Sequence, residues 1–275
     1  MENEIEEIKR VAREKKIDGL FLEITERSLL LYEPLKELDT LLCTVVFDNE
    51  IFNGLDVVVN WDTEAERIFE KQNYPDTQFF LGPRYVFLDK NFEKAAQRKE
   101  RNEVRDILLT TGGVDENRLA LKFIEWLPTN LSAKVSVVIS DVCDYEKELK
   151  DLINKRKNEV NIEILQGRNS LFDEMVKTDI AISSAGLTSF ELLTLGVPSF
   201  MVAVFEHQEK RCEHYHAKGA AICCTLAELN KGVFLENLNA LLNSVDVRNK
   251  LTRNAQELFQ RNNTLLEYLE GKMKT

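Results

Sequence analysis

Short runs of β-branched and aliphatic residues alternate with amphipathic helical runs along nearly the whole chain. That alternation is what parallel sheets with crossover helices impose on a sequence. Ile5, Ile8, Val11 and Ala12 recur at helical spacing in an otherwise charged segment and predict a helix over Glu2–Lys16. Strands are expected at Gly19–Ile24, Leu41–Phe47, Val57–Asn60 and Phe79–Leu81, after which Leu81-Gly82-Pro83 breaks the pattern. A charged helix over Phe92–Asn102 then bridges to a second run of strands. These are Asp106–Thr110, Lys134–Ser140, Asn161–Leu165, Asp179–Ser183, Ser199–Val204 and Ala220–Cys223. Asp246–Lys272 reads as one closing helix, long enough at about 1.5 Å per residue to reach back to the first domain. The pattern predicts an α/β protein of two Rossmann-like domains with parallel sheets. The expected boundaries are 1–90 for the first, 91–245 for the second, and 246–275 for the closing helix.

Charge narrows the partners. The 275 residues carry a formal net charge of −11, which argues against nucleic acid or an anionic membrane as a bulk electrostatic partner. An anionic ligand has to be held locally, by backbone amides and helix termini. No apolar run approaches the ~18 residues of a membrane span, and the acidic opening MENEIEEIKR is no signal peptide. The five cysteines, Cys43, Cys143, Cys212, Cys223 and Cys224, show no C-x-x-C spacing. They are expected as reduced thiols of a cytoplasmic protein rather than as a vicinal Cys223–Cys224 disulfide.

In an open parallel sheet, ligands bind beyond the carboxyl ends of the strands, so the loops there carry the candidate chemistry. Thr110-Thr111-Gly112-Gly113-Val114-Asp115 lets a phosphate approach the backbone, or is a plain strand-to-helix turn. Gly167-Arg168-Asn169-Ser170-Leu171-Phe172-Asp173 offers Ser170 and Asp173 as a capping pair and an apolar start that could lie against a base. Ser183-Ser184-Ala185-Gly186-Leu187-Thr188-Ser189-Phe190-Glu191 closes a strand with small residues and opens a helix whose free N–H groups suit a diphosphate. Glu191, about one and a half turns in, can accept from both hydroxyls of a ribose. Phe205-Glu206-His207-Gln208 follows the next strand and faces the same cleft, or is a surface loop.

Other constellations are poorer. His207, His214 and His216 cluster near Cys212, but residues two apart on a helix point in different directions, so no metal site is expected. Trp61 and Trp126 read as core or interface residues. Asp48 ends a strand, as a cleft carboxylate or a cap. No G-x-S-x-G, P-loop or H-E-x-x-H motif occurs, and no cofactor is expected.

Three stretches carry a resemblance: Leu81-Gly82-Pro83-Arg84-Tyr85, Ile107–Asp115, and Asp179–Glu191 with Leu195-Gly196-Val197-Pro198 and Gln208. Together they resemble the PseG family of UDP-sugar hydrolases of pseudaminic acid synthesis, over roughly residues 40–265. In that family water attacks the anomeric carbon and UDP leaves. It is similar in turn to MurG-type glycosyltransferases with the GT-B fold. The resemblance implies that Gly112 and Gly113 face the diphosphate and that Leu171 and Phe172 line the uracil. It implies that Ser184, Ala185, Gly186 and Thr188 contact phosphate, that Glu191 holds the ribose, and that Gln208 belongs to an Asn-Gln pair whose Asn is here His207. The family opens on a strand and a G-x-G-H-x-x-R turn bearing its catalytic His. Here no His precedes His207, and the first domain is expected to be truncated by about 60 residues. The family's Asp-x-Tyr loop reads Glu23-Ile24-Thr25 and its Asp-Asp turn reads Asp48-Asn49, which leaves Glu23 and Asp48 as candidate bases.

The expected function is binding of UDP or a UDP-sugar, with hydrolysis or glycosyl transfer in surface polysaccharide or nonulosonic-acid-type sugar synthesis. The alternative is an inactive nucleotide-sugar-binding or regulatory subunit, or one half of a split enzyme. A shortened first sheet is expected to be completed by a second copy or a partner chain, or to close as four strands capped by the first and last helices.

Overall fold

The computed structural model describes residues 2–24, 28–47, 49–94, 102–168, 170–260 and 264–273. The chain divides into two compact units, residues 1–87 with 261–275, and residues 88–260.

The first unit runs α1 (Glu2–Lys15), β1 (Gly19–Glu23), a 3-10 run (Leu29–Glu37), β2 (Leu41–Val45), β3 (Val57–Asn60), α2 (Ala65–Ile68) and β4 (Gln78–Leu81). Its four strands are parallel and pair in chain order, so β1 and β4 are the edges. Alternation along the strands gives two buried faces. On one, Leu22, Leu42 and Val58 pack with Ile5 and Ala12 of α1 and with Leu29, Tyr32 and Leu35 of the 3-10 run. The run is irregular because Pro34 has no N–H to give, and Ser28 starts it by accepting from the N–H of Leu30.

The second unit begins with α3 (Lys90–Lys94). The rest of the bridging helix expected over Phe92–Asn102 falls mostly on residues 95–101, outside the described residues. Then come β5 (Asp106–Thr110), α4 (Leu119–Trp126), β6 (Leu131–Val138), α5 (Glu146–Arg156) and β7 (Val160–Leu165). The second half holds α6 (Phe172–Lys177), β8 (Ile180–Ser184), α7 (Leu187–Thr194), β9 (Ser199–Ala203), α8 (Glu206–Ala217), β10 (Ile222–Thr225), α9 (Lys231–Asn243) and α10 (Val245–Leu258). The strand order is β10-β9-β8-β5-β6-β7, all parallel. That is the doubly wound dinucleotide-type order, with its reversal between β5 and β8. Every residue of β8 and β9 is buried, as expected of strands covered on both faces.

The single closing helix expected over Asp246–Lys272 is two helices in different units, α10 and α11 (Thr264–Met273). The reason is Phe259. Its N–H closes α10 on the carbonyl of Ala255, and its buried ring packs on Phe190 of α7 and Tyr215 of α8 at 5.9 and 6.0 Å between centroids. α11 covers the other face of the first sheet, where the ring of Tyr268 meets Phe80 edge-on at 5.7 Å. No helix among the described residues is long and apolar enough to cross a membrane.

The β5–β8 pairing is fastened at its amino end. The buried carboxylate of Asp179 accepts from the N–H groups of Arg105 and Asp106 at 2.7 and 2.9 Å. Asp179→Ala is expected to cost about 2 kcal/mol, the scale of hydrogen bonds to a charged group. The melting midpoint of the second unit should fall by several degrees, with the larger loss of amide protection in β5 and β8. Unchanged protection there would show that the carboxylate is not what fastens the pair.

Candidate functional site

Register brings the loops together. Thr110, the last residue of β5, lies opposite Ser183 of β8, so the segments after each leave the sheet side by side at the reversal point. Gly112 adopts a φ of +95°, open to glycine at little cost, and a Cβ there would lie 3.4 Å from Ser184 Oγ. A Cβ on Gly186 would lie 3.7 Å from the same hydroxyl and 3.8 Å from Gln208 Nε2. Gly112, Ser184, Gly186 and Gln208 therefore form one cluster drawn from three strand ends.

Within it the two helix starts differ. At α4, Asp115 accepts from the N–H groups of Leu119 and Ala120, both at 2.9 Å, and its carboxylate also takes the hydroxyl of Tyr145. Burial, with that hydrogen bond behind it, pushes the Tyr145 hydroxyl far above its ordinary pKa. At α7, Gly186 is the cap residue in extended conformation and contributes no side chain, while the Ser189 N–H turns back to the Gly186 carbonyl at 3.0 Å, so it is the amides of Leu187 and Thr188 that stay open among the described residues. Ser189 also donates its hydroxyl to the Gly186 carbonyl at 2.7 Å, which tightens the turn and leaves the amides of Leu187 and Thr188 to a ligand.

Gln208 is 95% buried (5% exposed) in the first turn of α8. Its Oε1 accepts from the Val204 N–H at 3.0 Å, which sets its Nε2 on the side of Gly186. Three residues on, and so on the same helix face, Arg211 donates to the carbonyl of Ala185 at 3.0 Å and lies 4.7 Å over the ring of Phe190. Arg211 is a buried cation directly beneath the β8–α7 turn. Sequence reasoning missed it, because α8 spells its buried stripe Gln208, Arg211, Cys212 and Tyr215 in mostly polar residues. The only available signal was its spacing from Gln208.

Glu191 is half-buried on α7, and no hydrogen bond or ion pair holds its carboxylate among the described residues. Burial raises its pKa. Ala185 is buried in the turn and Thr188 is half-buried in the first turn of α7, while Gly113 is exposed. A cleft of about 120 Å³ opens beside the glycines, lined by Thr111–Glu116, by Val138 at the end of β6 and by residues 139–140 and 142–145 after it.

Leu171 and Phe172 are half-buried where α6 starts, and α6 packs against β5. The ring of Phe172 meets that of Phe92 edge-on at 5.0 Å. The capping pair expected there is not made: Ser170 Oγ accepts from Phe172 N–H at 3.2 Å, one residue short of the N–H of Asp173, and Asp173 is exposed. His207 is exposed and stacked on Phe205 at 5.6 Å. Of the two candidate bases, Glu23 is exposed at the end of β1, and Asp48 lies outside the described residues. All five cysteines are free, and no group of three His, Cys, Asp or Glu among the described residues could hold a metal ion.

No family model matches the chain. It is 30% identical over 191 residues to an uncharacterized protein of Methanocaldococcus jannaschii, a match covering 66% of this chain and 38% of that protein. It is 24% identical over 231 residues to the spore coat polysaccharide biosynthesis protein SpsG of Bacillus subtilis, covering 81% of this chain and 66% of SpsG. It is 27% identical over 166 residues to the UDP-N-acetylglucosamine–N-acetylmuramyl-(pentapeptide) pyrophosphoryl-undecaprenol N-acetylglucosamine transferase of Leuconostoc citreum, covering 58% and 45%. The chain thus spans less than two thirds of the full length of each of these. Among solved structures it matches MurG of Acinetobacter baumannii with a TM-score of 0.62 at 16% identity, covering 98% of this chain and 77% of that one. It matches the spinosyn rhamnosyltransferase SpnG, complexed with thymidine diphosphate, with a TM-score of 0.62 at 15% identity and the same coverage. The fold is that of GT-B glycosyltransferases, with two parallel sheets, and the chain is homologous to the superfamily that includes SpsG and MurG.

The lone carboxylate makes a prediction about pH. A carboxyl whose folded pKa is raised carries stability that is fully present below its unfolded value and lost as pH rises through the folded value. Above that, the folded state holds a half-buried charge with no partner among the described residues to offset it. Glu191→Gln is therefore expected to melt with the parent below about pH 4 and to melt higher than the parent at neutral pH. Melting curves across that range check it. A difference that stays constant with pH would refute the cause assigned here.

Proposed function

We propose that the second unit binds a nucleoside diphosphate sugar, with UDP as its nucleotide, at the β8–α7 turn. The observation that carries this reading is the uncapped start of α7 at the strand-order reversal, with Gly112 and Gln208 on either side and the unpaired Glu191 further along the helix. An open helix start stabilises an anion by roughly 0.3–1 kcal/mol when exposed and more when part-buried. Arg211 beneath the turn adds a fixed positive charge in a chain of net charge −11. Glu191 is left to accept from the ribose hydroxyls. Leu171 and Phe172, at the start of α6, are assigned to the base, and Ser184, Ala185 and Thr188 to the phosphates. The names of the relatives agree with this: a UDP-N-acetylglucosamine-dependent transferase, a polysaccharide biosynthesis protein, and a glycosyltransferase complexed with a nucleoside diphosphate.

The chemistry that follows is rupture of the bond between the anomeric carbon and the β-phosphate oxygen. The bonding pair leaves with the diphosphate, and the amides at the start of α7 stabilise the charge that develops there. An acceptor hydroxyl completes transfer and water completes hydrolysis; the resemblance to the PseG family favours water. The second reading, binding without turnover, is favoured by the position of all three histidines in α8, none of them in the first unit. Release of UDP from a panel of UDP-sugars separates the two, since turnover excludes the binding-only reading.

Calorimetry with UDP tests the site itself. Glu191→Ala is expected to weaken binding by roughly 1.5–3 kcal/mol, the scale of hydrogen bonds to a charged group. Its melting temperature is measured alongside. Full affinity in a folded variant would remove Glu191 from the site, and no UDP binding by the parent protein would sink the proposal.

A further inference from the structure

Arg211 has a use that its charge alone does not explain. It is 6% exposed, a group buried behind the β8–α7 turn rather than one that meets a ligand. Its guanidinium donates to the carbonyl of Ala185 at 3.0 Å and lies 4.7 Å over the buried ring of Phe190. The planar fork is thereby held between the turn and the helix that the turn opens. The carbonyl it holds belongs to the Ala185–Gly186 peptide, which is trans. In a trans peptide the C=O and the following N–H point in opposite directions. With the Ala185 carbonyl turned inward to Arg211, the Gly186 N–H is turned outward, and it makes no hydrogen bond among the described residues. The amides on either side are spent: Ala185 N–H on the carbonyl of Val202 at 2.9 Å and Ser189 N–H on that of Gly186 at 3.0 Å. The open run is therefore Gly186, Leu187 and Thr188, and Leu187 is 68% exposed. A side-chain donor stands at the same place. Gln208 is 5% exposed, its Oε1 is committed to Val204, and its Nε2, beside Gly186, makes no hydrogen bond among the described residues.

We infer that Arg211 is the positioning residue of this turn: by fixing the Ala185 carbonyl it aims the Gly186 N–H at an anion and adds a third amide to those of Leu187 and Thr188. Successive N–H groups presented in this way make a concave anion site. Gly186 has no Cβ and opposes a flip of the peptide before it only weakly, which leaves the orientation to the hydrogen bond from Arg211. Flipped, the Ala185 carbonyl oxygen would face the anion and repel it. The inference deepens the reading of the α7 start as a diphosphate site and rests on it, though not on the nucleoside. A fixed charge would act on the bound anion as a whole, whereas a positioning role falls on one amide.

Inorganic pyrophosphate, titrated into the full chain and followed in nitrogen–proton correlation spectra, tests this apart from the nucleotide. In the parent protein the amide resonances of Gly186, Leu187 and Thr188 are expected to move together and saturably. In Arg211→Met the Gly186 response is expected to be lost while those of Leu187 and Thr188 persist, and the affinity to fall about tenfold, the scale of one hydrogen bond to a charged group. Arg211→Lys, which keeps a donor as well as the charge, is expected to restore part of the Gly186 response. A Gly186 resonance that stays still in the parent while Leu187 and Thr188 move overturns the inference, and that measurement needs no variant to fold. So does an Arg211→Met protein in which all three responses weaken alike, the mark of a charge acting at a distance, and so does a parent indifferent to pyrophosphate. UDP titrated alongside separates the two readings. Pyrophosphate bound through all three amides with UDP unbound sinks the nucleotide reading and leaves Arg211 its role, whereas UDP bound with Gly186 unmoved does the reverse.

Discussion

The pairing of β5 with β8 is the contact on which the second unit depends. It sets Thr110 against Ser183, and through them it places the glycine turn beside the start of α7. It is also where the sheet reverses direction, so no helix crosses over the gap above it and the two loops diverge. The pairing is fixed from below by one buried carboxylate, Asp179, which ties the start of β8 to the backbone entering β5. A slip of one residue would turn every side chain of β8 over. Ser184 would then no longer lie between Gly112 and Gly186. The candidate site is thus a consequence of strand register more than of any residue inside it.

α8 holds the upper side of that arrangement. Its buried face is Gln208, Arg211, Cys212 and Tyr215, and Gln208 and Arg211 both bond the backbone of the neighbouring turns. Gln208 takes the N–H of Val204, and Arg211 gives to the carbonyl of Ala185 while its plane covers Phe190. Buried polar groups used this way specify one geometry, because any other leaves them unmade. Glu191 on α7 is not held in this way. It bears a burial cost with no compensating bond among the described residues, which is the mark of a group kept for something other than stability.

Much of this was legible in the sequence. Val57–Asn60 and Asp106–Thr110 have the strand boundaries that the β-branched and aliphatic runs imply, since an apolar run flanked by charge has one place to start. The glycine turn and the Ser184–Gly186 turn were legible because small residues at strand ends have few other uses. Three things were not. Arg211 was hidden because apolar periodicity cannot see a buried stripe written in Gln, Arg and Cys. The break between α10 and α11 was hidden because Leu265 keeps apolar spacing with Leu251 and Ala255, while the stop is a tertiary contact of Phe259. The contact of four aromatic rings in the first unit was hidden because Phe21, Phe47, Trp61 and Phe87 come from four separate segments, and only the sheet brings them together.

The asymmetry between the two helix starts beside the reversal point decides where an anion can go. α4 and α7 begin at neighbouring strand ends, and both would offer open amides and a positive dipole end. At α4 the chain supplies its own anion: Asp115 occupies the amides of Leu119 and Ala120 and is itself held by Tyr145. A phosphate placed there would displace a satisfied carboxylate or lie against its charge, and either costs more than a helix start returns. At α7 the cap residue is glycine, which leaves the amides of Leu187 and Thr188 unoccupied among the described residues and lets a ligand approach the backbone closely. The glycines at 112 and 113 therefore serve less as a second anion site than as clearance, a stretch of bare backbone opposite the open start of α7.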